Sequence, residues 1–331
     1  MQTATAFWGS KVLLTAVELD LFSALGQTPM TASELGKALG LHPRGTYDFF
    51  DALVALKFLD RDGDCAEGKY RNTPETAAFL DKSRPTYIGG FPEMLNSRIF
   101  GSWGHLGAAL KTGLPQNETK DNGEAWFEEL YADETKLGEF LEAMSGLQAA
   151  NFTQLAEKFD FSRYRIVCDI GGALALLSRI TGLHNEHLTF TSFDLPQVAP
   201  HAQKHIDAAG MADRITVVSG DFFQDEFPEA DVIIMGNILH DWNLERKNIL
   251  IKKAYDALPE GGAFIAIENL IDDARRENAF GLLMSLNMLI EFGDAFDYTA
   301  KDFREWCSGA DFARFEFISL AGPASAAIAY K

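Results

Sequence analysis

Cysteine is scarce in this chain. The three present, Cys65, Cys168 and Cys307, stand far apart and form no Cys-x-x-Cys pair. That supports neither a disulfide framework nor a structural zinc site, and it suits a reducing compartment. Positive charge is also short: 29 Lys and Arg face 48 Asp and Glu, a formal net charge of −19. Such an excess repels phosphate backbones and anionic lipid, so neither nucleic acid nor a membrane surface is an expected partner. No apolar run reaches the ~18 uninterrupted residues that spanning a bilayer needs. The first stretch, MQTATAFWGSKVLLTAVELDLFSAL, shows no basic start followed by an apolar signal run. A cytoplasmic location is the expectation. What the chain does have is 331 residues, 47% of them apolar, enough for about two ordinary domains.

Up to about residue 158 the pattern is helical. Val12, Leu13, Ala16, Val17 and Leu19, with Leu21 and Phe22, recur at helical spacing. In TASELGKALGL, Thr31 and Glu34 have the spacing of a capping box, and Gly40 fits the stop. A second helix, TYDFFDALVALKFL, leads into the polar DRDGDCAEGKYRNT, which reads as a two-stranded wing. Helix, turn, helix, wing is a winged-helix pattern. Through Pro85, however, nine Lys and Arg meet eleven Asp and Glu, and Asp48, Asp51, Asp60, Asp62 and Asp64 lie where DNA phosphates would sit. The pattern therefore predicts a surface for protein contact. Residues 1–85 read as this domain and residues 86–158 as a helical connector.

From about residue 159 the rhythm changes. RIVCDIGG, LTFTSFDL, RITVVSGDFF, ADVIIMGNIL and GGAFIAIENLI are strand-like and alternate with helical stretches such as ERKNILIKKAYDAL. Such alternation predicts an α/β fold, a doubly wound parallel sheet over residues 159–331. The tail, ARFEFISLAGPASAAIAYK, predicts two strands joined by a Gly-Pro turn and closing one edge.

Ligands of an open parallel sheet bind at the carboxyl ends of its strands. Here those ends carry Asp169-Ile170-Gly171-Gly172, Asp194, Gly220-Asp221-Phe222-Phe223, His240-Asp241-Trp242 and Glu268. Glycines allow close backbone approach, an acid about 20 residues on suits a ribose diol, and an acid beside aromatics suits adenine. Each feature also has an ordinary reading as a turn or a helix cap. Together they point to a cofactor containing a nucleoside. The absence of G-x-G-x-x-G and of a phosphate loop argues against pyrophosphate or triphosphate ligands.

DIGG, SFDLPQV, SGDFF, ILHDW, LPEGGAFIAIENLI and TAKDFREWCSGADF stand in the order and spacing of the O-methyltransferases of the plant caffeic acid and acetylserotonin type, and the chain resembles that family over nearly its whole length. The resemblance implies an N-terminal winged-helix dimerisation domain, a class I S-adenosylmethionine domain and a homodimer. It implies that Gly171, Gly172, Asp194, Leu195, Gly220, Asp221, Phe222, Phe223 and Asn237 surround the cofactor. It makes His240 the base, with Glu268 and Asp297 as its acids. It also sets Phe100, Trp103, Phe140, Met144, Met284 and Met288 around a small, aromatic or planar acceptor. Three departures stand out. Ala173 and Ala175 replace two glycines of the family's first loop, Gly236 replaces the lysine of plant members, and Asp297 is one methylene shorter than the usual Glu.

A sulfonium methyl is already electrophilic, so the protein's task is to align a hydroxyl and take its proton. Imidazole titrates in the right range, Glu268 is expected to orient its far nitrogen, and no metal is required. The alternative is a methyltransferase-like protein that has lost or changed methyl transfer: a decarboxylase, hydroxylase or cyclase, or a ligand-binding protein. His184 with His187, and His201 with His205, read as surface histidines lacking a third ligand.

Overall fold

The computed structural model describes residues 1–26, 28–117 and 130–331. These form two compact units, Met1–Gly101 and Ser102–Lys331.

In the first unit the opening helix, Gln2–Glu18, ends where Asp20 takes a left-handed φ of 56°. A short strand β1 (Met30–Thr31) leads into the helix Ala32–Ala38. Its start is the expected capping box: Thr31 accepts the Glu34 N–H, and Glu34 accepts the Thr31 N–H at 2.8 Å. The helix Pro43–Ala55 begins with proline behind an His42 cap, and the strands β2 (Leu59–Asp62) and β3 (Lys69–Asn72) pair antiparallel, with β1 on the far side of β3. Leu21, Phe22, Leu35, Phe50, Leu53 and Tyr70 fill the core. This unit runs past residue 85 into the segment read from sequence as a connector. Asn96, in a π-helical turn over Leu95–Ile99, accepts from Lys11 at 2.5 Å and donates to Glu18 at 2.7 Å. Periodicity alone carries no sign of such side-chain ties. Phe7 and Trp8 are 55% and 62% exposed. With Val12, Phe49 and Phe100 they line an open apolar groove.

The second unit is built on seven strands: β4 (Ile166–Ile170), β5 (Thr189–Asp194), β6 (Ile215–Ser219), β7 (Val232–Gly236), β8 (Ala263–Glu268), β9 (Arg314–Ser319) and β10 (Ser325–Tyr330). Their order is β6-β5-β4-β7-β8-β10-β9, with the first five parallel and the last two antiparallel. Both tail strands are as expected from the sequence. Successive side chains on a strand point to opposite faces. Accordingly Val167, Ile234, Ile265 and Ile328 join one core cluster, while Cys168, Ile233, Phe264 and Ala327 join the other. Burial on both faces explains why these strands read as continuous apolar runs. The chain steps from β4 outward to β6, then returns beside β4 with β7. That reversal opens a crevice at the carboxyl ends of β4 and β7. Among the described residues no helix is long and apolar enough to cross a membrane.

Candidate active site

The loop after β4 turns on Gly171, whose φ is +70° and whose missing Cβ would meet Ile238 at 2.4 Å. A side chain on Gly172 would strike Ser192 Oγ at 2.3 Å. The left-handed backbone favours glycine at 171, and at 172 the nearby Ser192 side chain and Asp169 carbonyl leave little room for a Cβ. Ala173 and Ala175 follow with φ of 47° and 54°. An L-residue held there costs about 1–2 kcal/mol. The strained loop is anchored by the Ala173 N–H, which donates to Asp194 Oδ2 at 2.9 Å. Asp194 Oδ1 accepts its neighbour Leu195's N–H at 2.7 Å. Asp194 does not cap the next helix, Ala199–Ala208, whose N-cap is Val198. Burial raises the Asp194 carboxyl to about 6. Asp169, buried beneath the loop with Ser178 Oγ at 3.3 Å, is raised to about 7 for the same reason.

After β6, a side chain on Gly220 would meet the Phe193 ring at 2.6 Å. Asp221 Oδ1 accepts the Phe223 N–H at 2.7 Å. Phe222 and Phe223 meet edge to face at 4.8 Å, and both pack on Trp242, at 5.9 and 4.7 Å between ring centres. After β7, Asn237 takes a φ of 53°, a conformation asparagine tolerates better than most residues.

His240 sits in a single 3-10 turn, Leu239–Asp241, and is 5% exposed. Three carboxylates surround its ring. Asp241 Oδ1 is 3.3 Å from Nε2, Asp297 Oδ1 is 3.5 Å from Nδ1, and Glu268 Oε2 is 4.0 Å from Nδ1. Glu268 does not make the expected close contact with the ring: its Oε1 instead accepts the His240 backbone N–H at 3.3 Å. Asp297 stands closer to the imidazole. The reason is that Glu268 ends β8 directly beside this loop and is drawn to its backbone donor. Burial pulls the imidazole's proton affinity down, but the charges of Asp241, Glu268 and Asp297 outweigh it and raise the pKa well above the ordinary histidine value. Burial in turn raises Glu268 to about 7 and Asp241 to about 6.

Of the residues expected around an acceptor, Phe140 and Met284 pack with Met288 against Leu130 and Phe292. Trp103 Nε1 donates to Asn287 Oδ1 at 2.9 Å, on the same helix as Met284 and Met288 (Ala279–Phe292). Met144 is half-buried one turn beyond Phe140. Phe100 belongs to the first unit, under the Lys11 ammonium at 5.0 Å. Three residues at the site escaped the sequence reading: Tyr131, Asn287 and Lys247. Tyr131 is half-buried, and its hydroxyl feels the charges of Asp194 and Asp241. Lys247 was legible in principle, since it shares a helical face with the apolar Leu250, Ile251 and Ala254. Of the other histidines, His184 and His187 bond the Ile180 and Phe161 carbonyls at 3.0 and 3.1 Å, and His205 pairs with Glu142 at 3.1 Å.

Residues 103–313 match the family described as the O-methyltransferase domain, and residues 1–82 match the O-methyltransferase dimerisation domain. The chain is 38% identical, over all of its length and 96% of the relative's, to the tetracenomycin polyketide synthesis 8-O-methyl transferase TcmO of Streptomyces glaucescens. It is 32% identical, over 97% of its length and 90% of the relative's, to the 3-hydroxy-5-methyl-1-naphthoate 3-O-methyltransferase of Streptomyces sahachiroi. The crystal structure of human N-acetylserotonin methyltransferase in complex with S-adenosylmethionine superposes with a TM-score of 0.92 at 28% identity, covering 100% of this chain and 96% of that one.

Proposed function

The chain belongs to the S-adenosylmethionine-dependent O-methyltransferase family, and we propose that it methylates a hydroxyl of a small aromatic or planar molecule with His240 as general base. When bound, the cofactor would supply an electrophilic sulfonium methyl, with sulfur as the leaving atom that keeps the electron pair. The residues present suit it. Among the described residues Asp194 receives two backbone N–H groups, and its half-buried carboxylate keeps lone pairs for the two hydroxyls of a ribose. Gly171, Gly172 and Leu195 would line the same crevice, with Gly220, Asp221, Phe222, Phe223 and Asn237 along its rim toward the adenine.

His240 takes the proton that the acceptor hydroxyl releases as its oxygen bonds the methyl carbon. The carboxylates of Asp297, Glu268 and Asp241 then stabilise the imidazolium. They also bring the ring's proton affinity closer to that of a phenol, at ~10, which favours the transfer. An aromatic acceptor is supported by Phe140, Met284, Met288 and Trp103, and by relatives named for a polyketide and a naphthoate. Met144, one turn beyond Phe140, is assigned to the same pocket.

The N-terminal unit has the order of a winged helix but an acidic face, and we assign it to homodimerisation through the exposed Phe7 and Trp8 groove. A cytoplasmic location accords with the cysteine usage. The observation that carries the reading is a buried histidine ringed by three carboxylates at the carboxyl rim of the sheet in which β5 ends in Asp194. The test pairs S-adenosylhomocysteine calorimetry with a mass-spectrometric screen of naphthols and hydroxyanthraquinones. His240→Gln is expected to lower turnover ~10²–10⁴-fold and to leave cofactor affinity intact. Unchanged turnover in that variant removes His240 from the mechanism.

A further inference from the structure

The helix Leu244–Ala257 buries Lys247, Leu250, Ile251 and Ala254 on one face. The lysine has no exposed surface at all. A methionine would fill such a slot without the cost of stripping water from an ammonium ion. What methionine lacks is a charge and hydrogen-bond donors, and both are in use here. Nζ donates to the Trp242 carbonyl and, at 2.9 Å, to the Phe296 carbonyl. It also lies 3.6 Å from the centre of the Phe296 ring. Trp242 is two residues past His240, and Phe296 immediately precedes Asp297.

We propose that Lys247 is a positioning residue for methyl transfer, clamping the loop that carries His240 to the segment that carries Asp297 and balancing the carboxylates around the imidazole. This rests on His240 acting as the base. The charges facing the ammonium come from every element around it: Glu268 at the end of β8, Asp241 in the His240 turn, and Asp294 and Asp297 beyond the helix Ala279–Phe292. The Tyr298 ring lies 5.9 Å away, with the buried Cys307 behind it. Burial lowers the lysine to about 8, so at neutral pH it stays charged. Removing that charge leaves the carboxylates less balanced, the imidazole holds its proton more tightly, and the base is freed only at higher pH.

The test uses full-length Lys247→Met and Lys247→Gln saturated with S-adenosylhomocysteine. Gln keeps an amide donor without the charge, and provides the measurement should Met fail to fold. The titration of the His240 ring is followed by NMR in histidine-labelled protein, with His240→Gln identifying the signal. The midpoint is expected to rise by about one pH unit in either variant. Cofactor affinity stays within about twofold, and kcat on an acceptor found in the screen falls ~10–100-fold with the cofactor KM little changed. Lys247→Arg, which retains charge and donors, recovers part of the shift. A His240 midpoint at the wild-type value in either folded neutral variant overturns the proposal. Should no acceptor be methylated at all, that result counts against the proposed function, while the titration still decides the role of Lys247.

Discussion

Asp297 Oδ1 lies 3.5 Å from Nδ1 of His240, nearer than any oxygen of Glu268 to that nitrogen. The two acids thus divide the work: Glu268 holds the turn by its backbone, and Asp297 faces the ring. The residue before Asp297 is tied to the His240 loop through Lys247.

Removing a negative charge beside an imidazole lowers its pKa. Asp297→Asn is therefore expected to move the acidic limb of the kcat/KM profile to lower pH, by about one unit, while lowering the maximal rate. Initial rates between about pH 5 and pH 9 check this. A limb that stays in place assigns the ring's high proton affinity to Asp241 and Glu268 alone.

Ala173 and Ala175 hold a conformation that glycine adopts without strain. Glycine also adds freedom to the unfolded chain, which offsets part of the gain. Ala173→Gly is expected to stabilise the protein by about 0.5–1 kcal/mol, while at the fully buried Ala175 the lost methyl, worth about 0.8 kcal/mol, leaves the change near neutral. Calorimetric melting and S-adenosylhomocysteine binding give the two readouts; binding should hold or tighten. A lower melting temperature in both variants contradicts the strained loop.

Asp169 is an acid whose carboxyl is raised to about 7 in the folded chain. Such a group binds more protons folded than unfolded, so its contribution to stability is greatest below the ordinary carboxylate range. That contribution is lost as pH rises through about 4 to 7. Asp169→Asn should melt higher than wild type at about pH 8, with the difference closing toward pH 4. Parallel melting curves at both ends show that the carboxyl is not the group responsible.

The apolar groove under Trp8 is the surface assigned to self-association. Trp8→Asp should shift the sedimentation of the full chain from dimer toward monomer without loss of helical signal. An unchanged dimer moves the contact elsewhere.

Much of this was legible along the chain. The capping box at Thr31 and Glu34 is a local hydrogen-bond pattern, and it appears as written. Continuous apolar runs marked the parallel strands because both of their faces are covered, and the acids and glycines at their ends marked the rim. The resemblance of ILHDW and its neighbours singled out His240. Residue spacing said nothing of the boundary near residue 101, because it depends on Asn96 bonding to the first helix across some 80 residues.

Taken by itself, the sequence determined the alternation of elements, the fold class and the residue types at each strand end, since these follow from periodicity and backbone chemistry. Only the tertiary structure decided which carboxylate meets His240, why Gly171 and Gly172 have no side chain, and that a lysine lies buried between two loops. Those outcomes depend on ångström-scale distances between segments far apart in the chain, and hydrophobic patterning sets which face is covered but not which atom touches which.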